Sequence, residues 1–183
     1  MDRGITIEVD GISKIFGSGK GAVRALDDVS VSIPENEFFT LLGPSGCGKT
    51  TLLKIIAGLL EPTEGTVEVN GKPVNGPGED RAFVFQDFAL LPWASVLRNV
   101  AFGLELRGVA KSKREDIAAR YIKDVGLAGF ENSFPHELSG GQNQRVGIAR
   151  ATISRPKLLS PRCTGSSVAE SAQSVLSLCV NVI

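Results

Sequence analysis

Eight residues constrain this chain more than any others: Gly43-Pro44-Ser45-Gly46-Cys47-Gly48-Lys49-Thr50, which fit the pattern G-x-x-x-x-G-K-[ST]. They follow a short apolar run, Phe38 to Leu42, that reads as a buried strand. They precede Thr51 to Leu60, where Leu52, Leu53, Ile55, Ile56 and Leu59 fall near one helical face. Glycines let the backbone between strand and helix curl until successive N–H groups point inward at anionic oxygens. The helix then begins at the loop, with its positive dipole end toward the same anion. A glycine-rich turn matching the pattern by chance would not need a strand before it and a helix after it.

Leu138-Ser139-Gly140-Gly141-Gln142 opens another helix, Gln142 to Ser154, which closes before Pro156. The Ser139 hydroxyl and the glycine N–H groups at that helix start form a second potential anion site. Taken alone, the same five residues also suit a polar turn with an N-cap serine. Elsewhere Ile5 to Val9 alternates as a half-buried strand does, and a turn from Gly17 to Gly21 separates it from a second alternating stretch, Val23 to Ile33. Gly65 to Gly71 reads as a strand and turn, and Arg81 to Phe85 as a strand ending at Gln86. Val96 to Arg107 and Ser112 to Val125 have amphipathic helical patterns, and Gly126 to Glu137 is a connector. Strands and helices both occur along the chain, as an α/β fold requires.

With 183 residues, 42% hydrophobic and 22% charged, the chain is one domain by size and long enough to bury a core. Its 20 basic and 20 acidic side chains balance, which argues against a nucleic-acid binder driven by bulk positive charge. Three cysteines without regular spacing suggest neither a disulfide framework nor a metal site. Met1-Asp2-Arg3-Gly4 leads into a strand-like stretch with no signal-peptide core, and Lys54 interrupts the best apolar run, Leu52 to Leu60. A cytoplasmic chain is expected, peripheral on the cytoplasmic face of the membrane if it works at one.

On these motifs, and on Gln144 to Ala151 continuing the second, the chain resembles the nucleotide-binding subunits of ABC transporters. Asp80-Arg81-Ala82-Phe83-Val84-Phe85-Gln86-Asp87, followed by Ala89-Leu90-Leu91-Pro92-Trp93, is similar to the importers of nitrate, sulfonate and taurine. The resemblance covers about Ile5 to Leu159. It implies a P-loop NTPase of ABC type, a mixed sheet with a helical subdomain at about 88–150 within a nucleotide-binding domain at 1–159. Gly43, Pro44, Ser45, Gly46, Cys47, Gly48, Lys49, Thr50 and Thr51 then bind ATP and Mg2+. Lys49 takes the β and γ phosphates and Thr50 the metal. Gln86 touches magnesium and the attacking water, and Phe16 stacks on adenine unless it is a core phenylalanine. Leu138, Ser139, Gly140, Gly141 and Gln142 complete the ATP site of an opposite protomer, so a homodimer is implied. The segment Phe88 to Leu106 faces a membrane permease, with Trp93 an exposed anchor. A periplasmic or lipid-anchored substrate-binding protein is reached through that permease, and no nucleic acid is expected. His136, the only histidine, is read as structural.

The departures are as informative. The family places an aliphatic run ending in Asp-Glu after the proline equivalent to Pro156, the aspartate for magnesium and the glutamate for the attacking water. Here Lys157-Leu158-Leu159 runs into Ser160-Pro161-Arg162, and Glu170 is the only carboxylate after Glu137. The family's loop aspartate and switch histidine have no counterpart either. Residues 160–183 hold six serines and only two charged side chains, Arg162 and Glu170. They are expected to be a non-homologous, poorly ordered tail, with the C-terminal part of the core missing. Such a switch is what a frameshift near codons 158 to 162 produces. A non-hydrolysing or vestigial nucleotide-binding module is the alternative to a working import ATPase. A lost strand beside Phe38 to Leu42 is expected to leave a hydrophobic edge unpaired and to lower soluble yield.

Overall fold

The computed structural model describes residues 5–35, 38–84, 88–154, 156, 158–160 and 176–180. In chain order they form β1 (Ile5–Phe16), β2 (Val23–Pro34), β3 (Phe38–Leu41), α1 (Lys49–Ile56), β4 (Glu64–Val69), β5 (Lys72–Pro73), β6 (Arg81–Phe83), α2 (Val96–Leu106), α3 (Lys111–Asp124), α4 (Gly140–Thr152), β7 (Leu158–Ser160) and β8 (Leu176–Val180). Short 3-10 turns at Gly19–Gly21 and Pro135–Glu137 complete the elements. The chain divides into two units, one drawn from residues 1–83 and 157–182, the other from 84–156.

The first unit holds two four-stranded sheets. One is antiparallel, in the order β2-β1-β4-β5. β1 runs well beyond the alternation legible at Ile5 to Val9, because register shifts between Val9 and Ile12 absorb Asp10 and Gly11 and return Ile12 to the buried face. The other sheet is mixed, in the order β3-β8-β7-β6, with only β6 and β7 parallel. α1 turns Leu52, Leu53, Ile55 and Ile56 inward onto Ile7, Val9, Ile12, Ile33, Val67 and Val69. Phe39, Leu41 and Phe83 pack against that same cluster, so both sheets share one core with α1. α1 ends in a Schellman-type turn: the Leu59 amide reaches the Lys54 carbonyl at 2.8 Å, with Gly58 at φ 73°.

β8 corrects one expectation. One side of β3 is paired, because Leu176–Val180 lies antiparallel against it, with Phe38 opposite Cys179 and Leu41 opposite Leu176. β8 also pairs with β7, bridging the phosphate-loop strand to the strand after Pro156. Five tail residues therefore pair one side of β3, which remains the terminal strand of its sheet among the described residues.

The second unit is helical. α2, α3 and α4 enclose Val96, Val100, Ala101, Leu104, Ala118, Ile122, Leu127, Val146, Ala149 and Ile153, at spacings that keep one stripe of each helix inside. The connector from Gly126 to Glu137 also caps α2, since the Val96 and Leu97 amides donate to the Ser133 and Glu131 carbonyls at 2.8 and 2.9 Å.

Candidate functional site

In the first unit, β3 delivers the chain to the glycine loop and α1 leaves it, as the sequence predicts. Gly46 and Gly48 stand at φ 84° and 91°, in the left-handed region that glycine enters freely. Gly48 is the N-cap of α1 and carries no side-chain cap, so the first amides of the helix point out of the loop without a side-chain acceptor. A Cβ on Gly48 would sit 2.5 Å from the Ala25 carbonyl oxygen and 2.8 Å from Leu26 Cδ2, which makes glycine obligatory where the loop passes β2. Pro44, Ser45, Gly46 and Cys47 are exposed at the loop's crest.

Lys49 is only 8% exposed, yet it is the first residue of α1. Its Nζ donates to the Gly43 and Pro44 carbonyls at 2.7 and 2.6 Å and lies 3.3 Å from Cys47 Sγ. The loop thus folds back over its own cation. A buried ammonium, uncapped helix amides and a glycine-lined crest are a donor set suited to a polyphosphate. Thr50 follows on the helix and is half-buried. Among the described residues no cluster of His, Cys, Asp or Glu could hold a metal. The magnesium that the motif implies would be held by Thr50 and the nucleotide's own phosphates, with Gln86, the other residue the resemblance assigns to it, outside the described residues.

Phe16 ends β1 and is 43% exposed, with Lys14 Nζ 5.4 Å from its ring centroid. It is not a core phenylalanine, and the Lys14 ammonium stands over one face of its ring. Gln86 lies outside the described residues. β7 pairs in parallel with β6 over Arg81–Phe83, so a strand does stand where the hydrolytic acids belong, but its last residue is Ser160.

In the second unit, Ser139 is the N-cap of α4. Its Oγ accepts from the Gln142 amide at 3.3 Å, and Gln142 Oε1 accepts from the Ser139 amide at 2.8 Å, a reciprocal capping box. Ser139, Gly140 and Gly141 are exposed, and Leu138 and Gln142 are half-buried. Asn143 donates to the Pro135 carbonyl at 3.0 Å and ties this helix start to the connector. His136 stacks on Phe134 with ring centroids 5.9 Å apart. Trp93 is 70% exposed. Sequence reasoning missed two residues in this unit: Asn99, fully buried in α2, and Arg150, near the end of α4, which bond to the backbone between Phe88 and Ser95. Arg150 was visible only as one more residue matching the family text.

A strand feeding a three-glycine loop, with a lysine opening the helix beyond it, defines the first unit as a phosphate-loop α/β domain. The ABC transporter family matches residues 26–160. The chain belongs to that family. It is 53% identical over 155 residues to an uncharacterized ABC transporter ATP-binding protein of Methanocaldococcus jannaschii, covering 85% of this chain and 58% of that one. It is 50% identical over 148 residues to the taurine import ATP-binding protein TauB of Burkholderia thailandensis, covering 81% and 57%. The chain thus spans less than two thirds of the length of either relative. Among solved structures, the ATP-binding cassette MJ0796, a dimer in a post-hydrolysis state bound to ADP and Pi, superposes with a TM-score of 0.76 at 34% identity, covering 84% of this chain and 72% of that one.

Proposed function

We propose that this chain binds MgATP through Gly43 to Thr51 and serves as the ATP-binding part of an ABC import system. One observation carries the reading: a buried lysine at the start of a helix, beneath a glycine loop whose amides lack side-chain acceptors. The Lys49 ammonium would exchange the Gly43 and Pro44 carbonyls for β- and γ-phosphate oxygens, trading neutral acceptors for charged ones. Magnesium, held by Thr50 and the phosphates, would offset charge on the transferring phosphoryl group. Phe16 would stack on adenine. A second copy would bring its Ser139 helix start to the γ-phosphate, and Gln86 would orient the attacking water. Residues 88–106 would face a permease at the cytoplasmic side of a membrane, a setting in keeping with the absence of a membrane-spanning helix among the described residues. The resemblance at Asp80 to Trp93 and the likeness to a taurine import protein favour a small anion as cargo, such as nitrate, a sulfonate or taurine.

One feature favours a second reading, binding without turnover: β7 ends at Ser160 and runs into Pro161-Arg162, with no carboxylate where water would be activated. Phosphate release measured under saturating MgATP separates the two. Release at a rate typical of enzymes, on the order of 1 per second or more, supports a working ATPase. Saturable binding with release no faster than buffer supports the non-hydrolysing module.

A further inference from the structure

Residues 88–95 carry the chain into α2 as a surface turn, yet two side chains hold its backbone from within the unit. Arg150 Nη1 donates to the Ala89 carbonyl and Nη2 to the Phe88 carbonyl, each at 2.7 Å. Both acceptor residues are in the left-handed region, Phe88 at φ 57° and Ala89 at φ 43°. Two consecutive non-glycine residues there cost about 1–2 kcal/mol each and persist only where their surroundings over-determine them. Arg150 supplies that constraint through a planar fork that spans adjacent carbonyls, and burial lowers its pKa from the ordinary guanidinium value. One turn earlier on α4, a Cβ added to Gly147 would stand 3.4 Å from Phe88 Cβ, so the glycine leaves room for that side chain. At the far end of the turn, Asn99 Oδ1 accepts from the Leu91 amide at 2.8 Å. Its Nδ2 lies 2.9 to 3.1 Å from the Leu91, Ala94 and Ser95 carbonyls. Trp93, the chain's only tryptophan, stands within the stretch that Asn99 holds, four residues beyond the Ala89 carbonyl that Arg150 holds.

We propose that Arg150 is a positioning residue: together with Asn99 it fixes the 88–95 turn in one conformation, so that Trp93 is presented as a preset anchor, and it couples that turn to the helix opened by Ser139. Preorganisation of this kind removes the ordering cost that a loose loop would incur on docking. The docking role rests on the proposed partner-facing reading of residues 88–106, whereas the fixing of the turn does not. Lysine cannot substitute, because a point-charge ammonium does not lie flat across two neighbouring carbonyls.

The test uses the full chain, without nucleotide, as wild type, Arg150→Lys and Arg150→Ala. It reads Trp93 anisotropy decay and amide exchange over residues 88–95. Circular dichroism reports folding in parallel. In the wild type, the Leu91 and Ala94 amides should exchange roughly a hundredfold slower than in an unstructured peptide. In folded Arg150→Lys they should exchange about tenfold faster than in wild type, and Trp93 should gain a fast local component. Millimolar guanidinium should restore the slow component in Arg150→Ala. Unstructured-peptide rates in the wild type, or unchanged exchange and anisotropy in folded Arg150→Lys, would overturn the proposal. If the variants do not fold, unstructured-peptide rates in the wild type still overturn the proposal. None of these readouts involves ATP, so failure of the ATP-binding reading would register separately.

Discussion

Replacing Asn99 with alanine should be among the most damaging single changes in the helical unit. The side chain is fully buried in α2, accepts from the Leu91 amide and lies within hydrogen-bond distance of the Leu91, Ala94 and Ser95 carbonyls through Nδ2. The loss can be worked bond by bond. The Leu91 carbonyl keeps the Ala94 amide at 3.1 Å, and the Ser95 carbonyl keeps the Asn99 amide itself at 2.8 Å. The groups stripped of this partner are the Leu91 amide and the Ala94 carbonyl. Each unsatisfied buried group costs roughly 1–3 kcal/mol. Leu91 is half-buried, so water can reach it in part. Alanine also returns about 0.5 kcal/mol as the better helix former. The net is about 3 kcal/mol, a large share of the roughly 5–15 kcal/mol that holds a domain together. Urea denaturation followed by far-UV circular dichroism measures it. A loss under about 1 kcal/mol would show that the turn does not depend on Asn99 and would undercut the bond accounting.

Two glycines give further tests. Gly58→Ala should cost roughly 3 kcal/mol or more, since Gly58 sits at φ 73° and a Cβ there would overlap the Gly76 carbonyl oxygen, a backbone atom that cannot step aside. A thermal midpoint within a few degrees of wild type would contradict that. Gly48→Ala should lower both stability and ATP binding, because the Cβ would push the loop crest away from the Ala25 carbonyl. Isothermal titration and a thermal melt on the same sample check both, and ATP affinity equal to wild type would show that the loop tolerates the shift.

Most of the fold was legible because its signals are local. The 3.6-residue spacing of Leu52, Leu53, Ile55 and Ile56 and the alternation of Val23 to Ile33 both report burial directly, and both stretches form the elements they suggest. The phosphate loop was legible because glycine spacing and a following lysine have few other uses. β1 was read short, since Asp10 and Gly11 interrupt an alternation that a bulge later restores. β8 was read as part of a poorly ordered tail: five residues do not say which edge they will meet, and pairing with β3 spans more than 130 residues of sequence. Asn99 and Arg150 were not legible as positioning groups. On a helix, one polar residue looks like any other until the fold shows that its partners are backbone atoms of a turn eight or sixty residues away. The serine of the second motif does cap its helix, the plainer of the two readings open to it. That role is compatible with an exposed helix start available to a second copy.

The most direct test of the account is equilibrium titration of MgATP into the full chain beside Lys49→Ala. Two charge-assisted hydrogen bonds from a buried ammonium to phosphate are worth roughly 1.5–3 kcal/mol each. Saturable binding is therefore predicted for the wild type, weakened at least about tenfold in the variant, with both chains still folded. No binding by folded wild type, or equal affinity in the two, would contradict the assignment of the Gly43 to Thr51 loop as the nucleotide site.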